Sequence, residues 1–341
     1  MKKKSIAYFD FLNIAACLCV IGMHCNGIVH RFEDVPAWYV SMGVETLGYW
    51  AVPVFCMLSG ATMMNYRDRY TTSQFLKRRL LRVGIPLLFW TALFYLWKRH
   101  TGEILWTGHR SFLNLLMGFG VEPVYWFFAP LLMIYLALPV LSKFAQDRAL
   151  QRYVLAVGIL SISVLPAVCS ALELSYNSSF YFPVLGGYLL FPVLGWYLHN
   201  TEFKAWQKWI IYGLGLLSLA ARWGHTVLTF RADGVANQLT WGYKNLPAVI
   251  LSVAVFVLAK DICSSTVMQK PAVQKSLRWL SSASFGIYLI HIFVMNFIKG
   301  KFGVDVYSWL WLLAAPVGIY LLCLTVVKLL QKLPVGKYIF P

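Results

Sequence analysis

The chain has 341 residues, of which 59% are hydrophobic and only 13% charged, and its mean hydropathy is +0.64. This composition excludes an ordinary soluble domain and indicates an all-α, polytopic integral membrane protein. The formal net charge of +17 has to be located along the chain before it is interpreted as a sign of an acidic partner.

Apolar stretches of bilayer length predict about ten transmembrane helices in a single membrane-embedded domain, residues 1–341. The predicted spans are 6–28, 44–64, 80–98, 124–142, 153–172, 180–199, 209–226, 245–260, 281–298 and 308–331. With the N-terminus inside, the inner loops carry 21 of the 30 Lys and Arg residues. The positive-inside rule therefore predicts a multi-pass protein of the cell membrane with both termini in the cytoplasm, and no nucleic-acid partner is expected.

The first span, 6–28, carries polar side chains where lipid would favour apolar ones. Asn13 and His24 are eleven residues apart, so on a helix they lie on nearly the same face, roughly 17 Å apart along the axis. Imidazole is the side chain whose ordinary pKa suits acid–base work near neutrality, and an ionisable group inside a membrane predicts a functional site. The alternative is a histidine that sits at the lipid–water boundary.

The second span begins with Glu45, on the same side of the membrane as His24. A carboxylate there is a candidate to orient and charge-stabilise the imidazole, and the alternative is a solvated acid at a helix start. Pro53 and Gly60 predict a kink and a close-packing surface farther along this span.

The third span opens with the densest basic cluster of the chain, which includes Arg78, Arg79 and Arg82. Arg79 and Arg82 are three residues apart, so they share a helix face and present two guanidinium groups to one phosphate-bearing ligand. The alternative is that the cluster binds anionic lipid headgroups.

Two later spans add further candidates. Trp126 begins the fourth span at the outer interface, where an aromatic belt would also explain it. In the ninth span Ser284, Tyr288 and His291 follow one another at four and three residues, which places them on one helix face. Interhelical hydrogen bonding is the alternative for these three residues. Neither a metal signature nor a nucleotide-binding loop is present in the sequence.

Taken in order, these stretches resemble the membrane-bound acyltransferase 3 family, which includes bacterial enzymes that O-acylate cell-surface carbohydrates. The resemblance covers essentially the whole chain and is carried by the histidine-ended first helix, VPVFCMLSG, RRLLR, YWFFAPLLMIYLALP and SFGIYLIH. Because no hydrolase-like domain follows the helices, the chain is most similar to the stand-alone members.

The resemblance implies an acyl-CoA donor, most commonly acetyl-CoA, on the cytoplasmic side and a carbohydrate hydroxyl as acceptor on the outer side. His24 corresponds to the family's catalytic histidine, and Arg79 with Arg82 to its arginine pair for CoA. The chain departs from the family at two positions: Asn13 stands where many members have arginine, and Val124 stands where many have histidine.

The resulting hypothesis threads the donor along the first helix. Arg78, Arg79 and Arg82 anchor the CoA phosphates, and the pantetheine arm runs past Asn13 to His24, the general base. The remaining candidates are Glu45 to orient His24, His291 as a second catalytic histidine, Tyr288 and Ser284 as oxyanion donors or acceptor contacts, and Trp126 at the acceptor. Direct transfer and an acyl-histidine intermediate both stay open, as do two rival classes, a transporter or flippase and a non-catalytic scaffold.

Overall fold

The computed structural model describes residues 6–104, 109–234 and 238–341, and within these ranges the chain is helical, without a strand. The α-helices are α1 Ala7–Cys25, α2 Pro36–Gly48, α3 Ala51–Met63, α4 Thr72–His100, α5 His109–Met117, α6 Phe128–Leu141, α7 Arg148–Ile159, α8 Leu165–Ala171, α9 Leu190–His199, α10 Ala205–Asp233, α11 Gln238–Trp241, α12 Leu246–Ser264, α13 Pro271–Ser281, α14 Ser284–Phe302, α15 Ala315–Leu330 and α16 Gly336–Ile339. Wider helical turns at Leu160–Val164 and Leu310–Ala314 connect α7 to α8 and lead into α15.

Eight helical segments of the described chain are long and apolar enough to cross a membrane. They are Ala7–Cys25, Pro36–Asp68, Thr72–His100, Pro123–Phe144, Arg148–Ala171, Leu246–Ser264, Ser284–Phe302 and Leu310–Leu330. The all-helical, polytopic class predicted from composition is therefore confirmed. Two of the ten predicted spans, 180–199 and 209–226, are absent from this set.

Local chemistry explains both differences. In 180–199 the helix begins only at Leu190, because Pro183 and the left-handed Gly187 (φ +64°) hold the preceding residues in tight turns. Helix α10 is 29 residues long, yet it carries Arg222 and His225 in its interior and is less apolar than the eight segments. Its first turns lie beside α12, where Lys208 pairs with Asp261 at 2.7 Å.

The second span starts earlier than predicted and is broken. Its helix stops at Gly48 and resumes at Ala51. Pro53 has no N–H to donate to the Tyr49 carbonyl, so the break lies at the position where the expected kink would begin. Farther along, Gly60 faces the backbone of Pro192 so closely that no Cβ would fit. The close-packing surface predicted at Gly60 is the α3–α9 crossing.

Helix α1 lies at the centre of the bundle and contacts α2, α3 and the helices from α12 to α15. Its apolar residues Leu12, Ala16 and Ile21 are fully buried. At its end the buried Asn26 donates to the carbonyls of Gly22 and Leu312 at 2.8 and 2.9 Å. These two hydrogen bonds hold the C-terminal end of α1, which carries His24, in a fixed position.

Candidate active site

One cavity of about 720 Å³ runs along α1 through the bundle. At one end, which we call the guanidinium end, it is lined by Arg79, Arg82 and Arg278. At the other, the histidine end, it is lined by His24 and His30. The volume is that of an ordinary small-molecule site, about 300–1,000 Å³. Two groups of residues that are distant in the sequence therefore face one continuous space.

The guanidinium end draws on two helices. Arg79 and Arg82 stand one turn apart on α4, as their spacing predicted, and both line the cavity. Arg278 on α13 lines the cavity as well. Sequence reasoning missed this residue as a site residue because it counted only among the basic residues on the inner side. Arg78 does not line the cavity. Its side chain is exposed, with the guanidinium carbon 4.6 Å from the centre of the Tyr70 ring.

Asn13 lies midway along the cavity and contacts the junction between α13 and α14. Its amide nitrogen donates to the Ser281 hydroxyl at 3.0 Å and to the Ser281 carbonyl at 3.3 Å. One turn farther along α1, the Cys17 thiol lies 3.7 Å from the Ser284 carbonyl. Asn13 therefore joins α1 to this junction through hydrogen bonds. The longer, charged side chain of an arginine would not make the same contacts at this position.

The histidine end pairs His24 with His291. Their ring centroids are 5.2 Å apart. Nδ1 of His291 lies 2.8 Å from the Tyr288 carbonyl, which can only accept, so Nδ1 carries the hydrogen. Nε2 of His291 has no hydrogen-bond partner among the described residues, and the side chain is 1% exposed and does not line the cavity. His24 faces the cavity, and the His291 ring packs against it from outside the cavity.

The two hydroxyls of α14 that the sequence predicted to act at the site, those of Tyr288 and Ser284, have different hydrogen-bonding environments. The Tyr288 hydroxyl donates to the Val124 carbonyl at 2.6 Å, so its single proton already has an acceptor. Ser284 lines the cavity, is 3% exposed, and its Oγ has no partner among the described residues. Seven residues separate Ser284 from His291, or ~10 Å along the helix. Ser284 is therefore in the middle of the cavity, away from the histidine pair.

Glu45 lines the histidine end of the cavity, as its predicted position requires, and it is buried. Its electrostatic partner is Arg222 of α10, which is 1% exposed and whose guanidinium carbon lies 3.4 Å from the centre of the Tyr49 ring. Sequence reasoning missed this partner, because Arg222 signalled only an interrupted span. The Arg222 charge acts on the Glu45 carboxyl, so this buried acid lies near a buried guanidinium.

Aromatic rings form one wall at the same end. Trp126 and Tyr243 both line the cavity and are stacked with centroids 5.8 Å apart, and Tyr243 stacks on Tyr49 at 4.1 Å. Burial raises the pKa of the Tyr243 phenol well above its usual value, so the hydroxyl stays protonated. Burial also lowers the pKa of His30, which favours its neutral form. The wall offers ring faces and neutral hydrogen-bonding groups.

The separation of the two ends follows from helix geometry. Phe94 on α4 stacks on Phe293, two residues from His291, with ring centroids 5.5 Å apart. Arg82 precedes Phe94 by twelve residues, so its backbone lies ~18 Å along α4 from the level of the histidine pair. The cavity suits an elongated ligand with anionic groups at one end and a reactive group at the other.

Fold and cavity together define a polytopic helical membrane protein in which one cavity along the first helix links a cationic cluster to His24, whose ring packs against His291. Residues 6–328 match the acyltransferase 3 family, described as an acyltransferase domain. The chain therefore belongs to this family, as the resemblance in its sequence predicted.

Among characterised proteins, the chain is similar to the nodulation protein NolL of Mesorhizobium japonicum. The two are 24% identical over 218 residues, which is 62% of this chain and 54% of that protein. The match thus spans about half of the length of the relative. No solved structure matches the chain.

Proposed function

We propose that the protein transfers an acyl group, most simply acetyl, from acyl-CoA to a hydroxyl of an extracytoplasmic or lipid-linked carbohydrate. The observation that carries this proposal is the single cavity between the guanidinium end and His24. Acyl-CoA has the matching form, with phosphates at one end and the thioester at the other. The excess of Lys and Arg in the loops on the guanidinium side supports a cytoplasmic position for that end, and so a plasma-membrane protein that takes its donor from the cytoplasm.

The length of the donor supports the same arrangement. The chain of about thirteen bonds from the nearer CoA phosphorus to the sulfur extends to ~16 Å with ordinary bond lengths. An arginine side chain reaches several ångströms from its backbone, so an arm of this length accounts for the ~18 Å between the levels of Arg82 and the histidine pair. Phosphates bound by Arg79 and Arg82 would bring the thioester carbonyl close to His24.

In the proposed reaction His24 removes the proton from the acceptor hydroxyl while the hydroxyl oxygen attacks the thioester carbonyl carbon. The new carbon–oxygen bond forms, the carbon–sulfur bond breaks, and the thiolate takes the proton back from the imidazolium. The products are the ester and CoA with a free thiol. His291, whose Nδ1 is committed to the Tyr288 carbonyl, is a positioning residue that fixes the orientation of the His24 ring.

The histidine end also has the groups that recognise a sugar. Trp126, whose ring is stacked with Tyr243, lines the cavity and offers an apolar surface on which the C–H face of a pyranose can stack. Glu45 offers carboxyl oxygens to sugar hydroxyls, and the Arg222 guanidinium acts on it electrostatically. We therefore assign the acceptor to this wall and give Glu45 a role in binding the acceptor rather than in orienting His24.

The test is to replace His24 by alanine and measure transfer from radiolabelled acetyl-CoA to envelope glycans, with mass spectrometry to detect the ester. We expect turnover to fall by ~10²–10⁴-fold, the usual contribution of a general base, with the dissociation constant of CoA unchanged. His100→Ala is the matched control, because His100 is exposed on α4 and does not line the cavity. Full turnover of His24→Ala would refute the assignment. Movement of a glycolipid across vesicles without acetyl-CoA consumption would favour a flippase instead.

A further inference from the structure

The junction between α13 and α14 forms a wall of the cavity to which the proposed donor site assigns no role. Arg278, Ser281, Ser282 and Ser284 all line the cavity from this junction. The wall stands beside α1, to which Asn13 ties it through Ser281. It therefore faces the same space as the two arginines of α4.

The first turn of α14 lies in the interior of the bundle. The Cys17 contact with the Ser284 carbonyl sets this turn beside a residue ten positions into α1, ~15 Å from the start of that helix. Ala283 precedes the helix and supplies no side-chain cap. A helix start carries a partial positive charge and N–H groups that await acceptors. Hydrogen-bond acceptors of a ligand would satisfy them.

A second, independent observation points to a ligand at this place. Ser284 is 3% exposed and lines the cavity, and its buried hydroxyl has no hydrogen-bond partner among the described residues. A buried hydroxyl without a partner is costly, and a bound molecule that supplies one removes the cost. The amides of a pantetheine arm are groups of this kind, because each has a carbonyl that accepts and an N–H that donates.

The other half of the junction carries charge. Arg278 precedes Ser281 by one turn and lines the cavity with Arg79 and Arg82, so three guanidinium groups on two helices face one space. CoA also has three phosphate groups: the two of its pyrophosphate are adjacent, and the third is on the 3′-hydroxyl of the ribose. Two arginines one turn apart suit the adjacent pair, and an arginine on a separate helix suits the isolated phosphate.

We propose that the α13–α14 junction is the second wall of the donor site, in which Arg278 binds the 3′-phosphate of CoA and the Ser284 hydroxyl, with the first turn of α14, binds the pantetheine arm. This inference rests on the proposed use of acyl-CoA and assigns its recognition to residues outside the arginine pair. It predicts that Arg278 and Ser284, on the two sides of the junction, bind different parts of CoA.

The test measures the binding of three probes to purified protein by calorimetry: CoA, 3′-dephospho-CoA, and adenosine 3′,5′-bisphosphate, which lacks the arm. Arg278→Gln should weaken CoA and the bisphosphate roughly tenfold, as expected for a lost charge-assisted hydrogen bond, and leave dephospho-CoA unchanged. Ser284→Ala should weaken CoA and dephospho-CoA roughly threefold to tenfold and leave the bisphosphate unchanged.

Controls separate this inference from the donor assignment itself. Arg152→Gln and Ser252→Ala, which lie outside the cavity, should change no affinity, and thermal unfolding should confirm that each variant folds. An equal effect of Arg278→Gln on CoA and dephospho-CoA, or no effect of either junction variant, would overturn the inference while the arginine pair stands. Failure of the unaltered protein to bind CoA would overturn the proposed function itself.

Discussion

The two ends of the cavity are built in contrasting ways. The guanidinium end relies on full charges near the surface: Arg82 and Arg278 are exposed, and Arg79 is partly buried. The histidine end relies on buried groups that are held in place. The Tyr288 carbonyl fixes His291, and the buried Glu45 carboxyl lies near the buried Arg222 guanidinium.

The contrast teaches that the two ends suit different tasks. Near water a charge costs little to keep and attracts an anionic ligand from a distance. Inside the bundle an unpaired charge is expensive, so a site for proton transfer there has to use neutral imidazole and fixed hydrogen-bonding groups. Changes at the first end should alter donor affinity, and changes at the second should alter turnover or acceptor recognition.

The largest effect that separates the ends is expected from the double variant Arg79→Ala/Arg82→Ala. Loss of two charge-assisted contacts of ~1.5–3 kcal/mol each should raise the dissociation constant of CoA by ~10²-fold or more. Turnover at saturating acetyl-CoA should change far less, which steady-state kinetics would reveal. A fall in turnover with unchanged affinity would place the donor phosphates elsewhere.

At the other end, Trp126→Leu should raise the KM for the glycan acceptor about fivefold, because stacking on one aromatic ring contributes ~0.5–1.5 kcal/mol. The affinity for CoA should stay the same. Trp209→Leu is the control, since Trp209 is exposed on α10 and lies outside the cavity. If Trp126→Leu weakened the binding of CoA and left the acceptor KM unchanged, the donor and acceptor sites would have to be exchanged.

A smaller effect is expected for Tyr288→Phe. Its hydroxyl donates to the Val124 carbonyl, so its loss removes a structural hydrogen bond and should slow turnover less than about tenfold. An oxyanion donor would behave differently, since its removal usually costs ~10²–10³-fold in turnover. Rate constants at saturating substrates decide between the two roles.

Arg78→Gln should have the smallest effect. Its guanidinium stacks on Tyr70 outside the cavity, so the dissociation constant of CoA should change less than about twofold, in the range of surface substitutions. A loss as large as that of Arg79→Gln, measured by the same titration, would show that the sequence assignment of Arg78 to the donor is correct and that the side chain turns inward when CoA binds.

The sequence predicted the parts of the fold that depend on local patterns. Long apolar runs identified eight membrane-length segments, and the spacing of Arg79 and Arg82 placed both on one face. Spans 180–199 and 209–226 were less predictable, because turns around Pro183 and the interior charge of Arg222 alter helices that hydropathy alone would draw as continuous.

The parts that escaped prediction depend on tertiary contacts. Arg278 lines the cavity because α13 packs against α1, and Arg222 acts electrostatically on Glu45 because α10 packs against α2. Neither contact leaves a spacing signal in the sequence, since α13 and α1, like Arg222 and Glu45, are more than 170 residues apart in the chain. For the same reason the hydrogen bond of Tyr288 to Val124 and the pairing of Asn13 with Ser281 could not be read from the sequence.

The most direct test of the account is a cryo-electron microscopy map of the protein in a lipid nanodisc with CoA bound. We predict phosphate density against Arg79 and Arg82, the arm along α1, and the sulfur within ~4 Å of the His24 imidazole, close enough for proton transfer. A map with the nucleotide at another surface, or with the sulfur more than a helical turn (~5 Å) from His24, would contradict it.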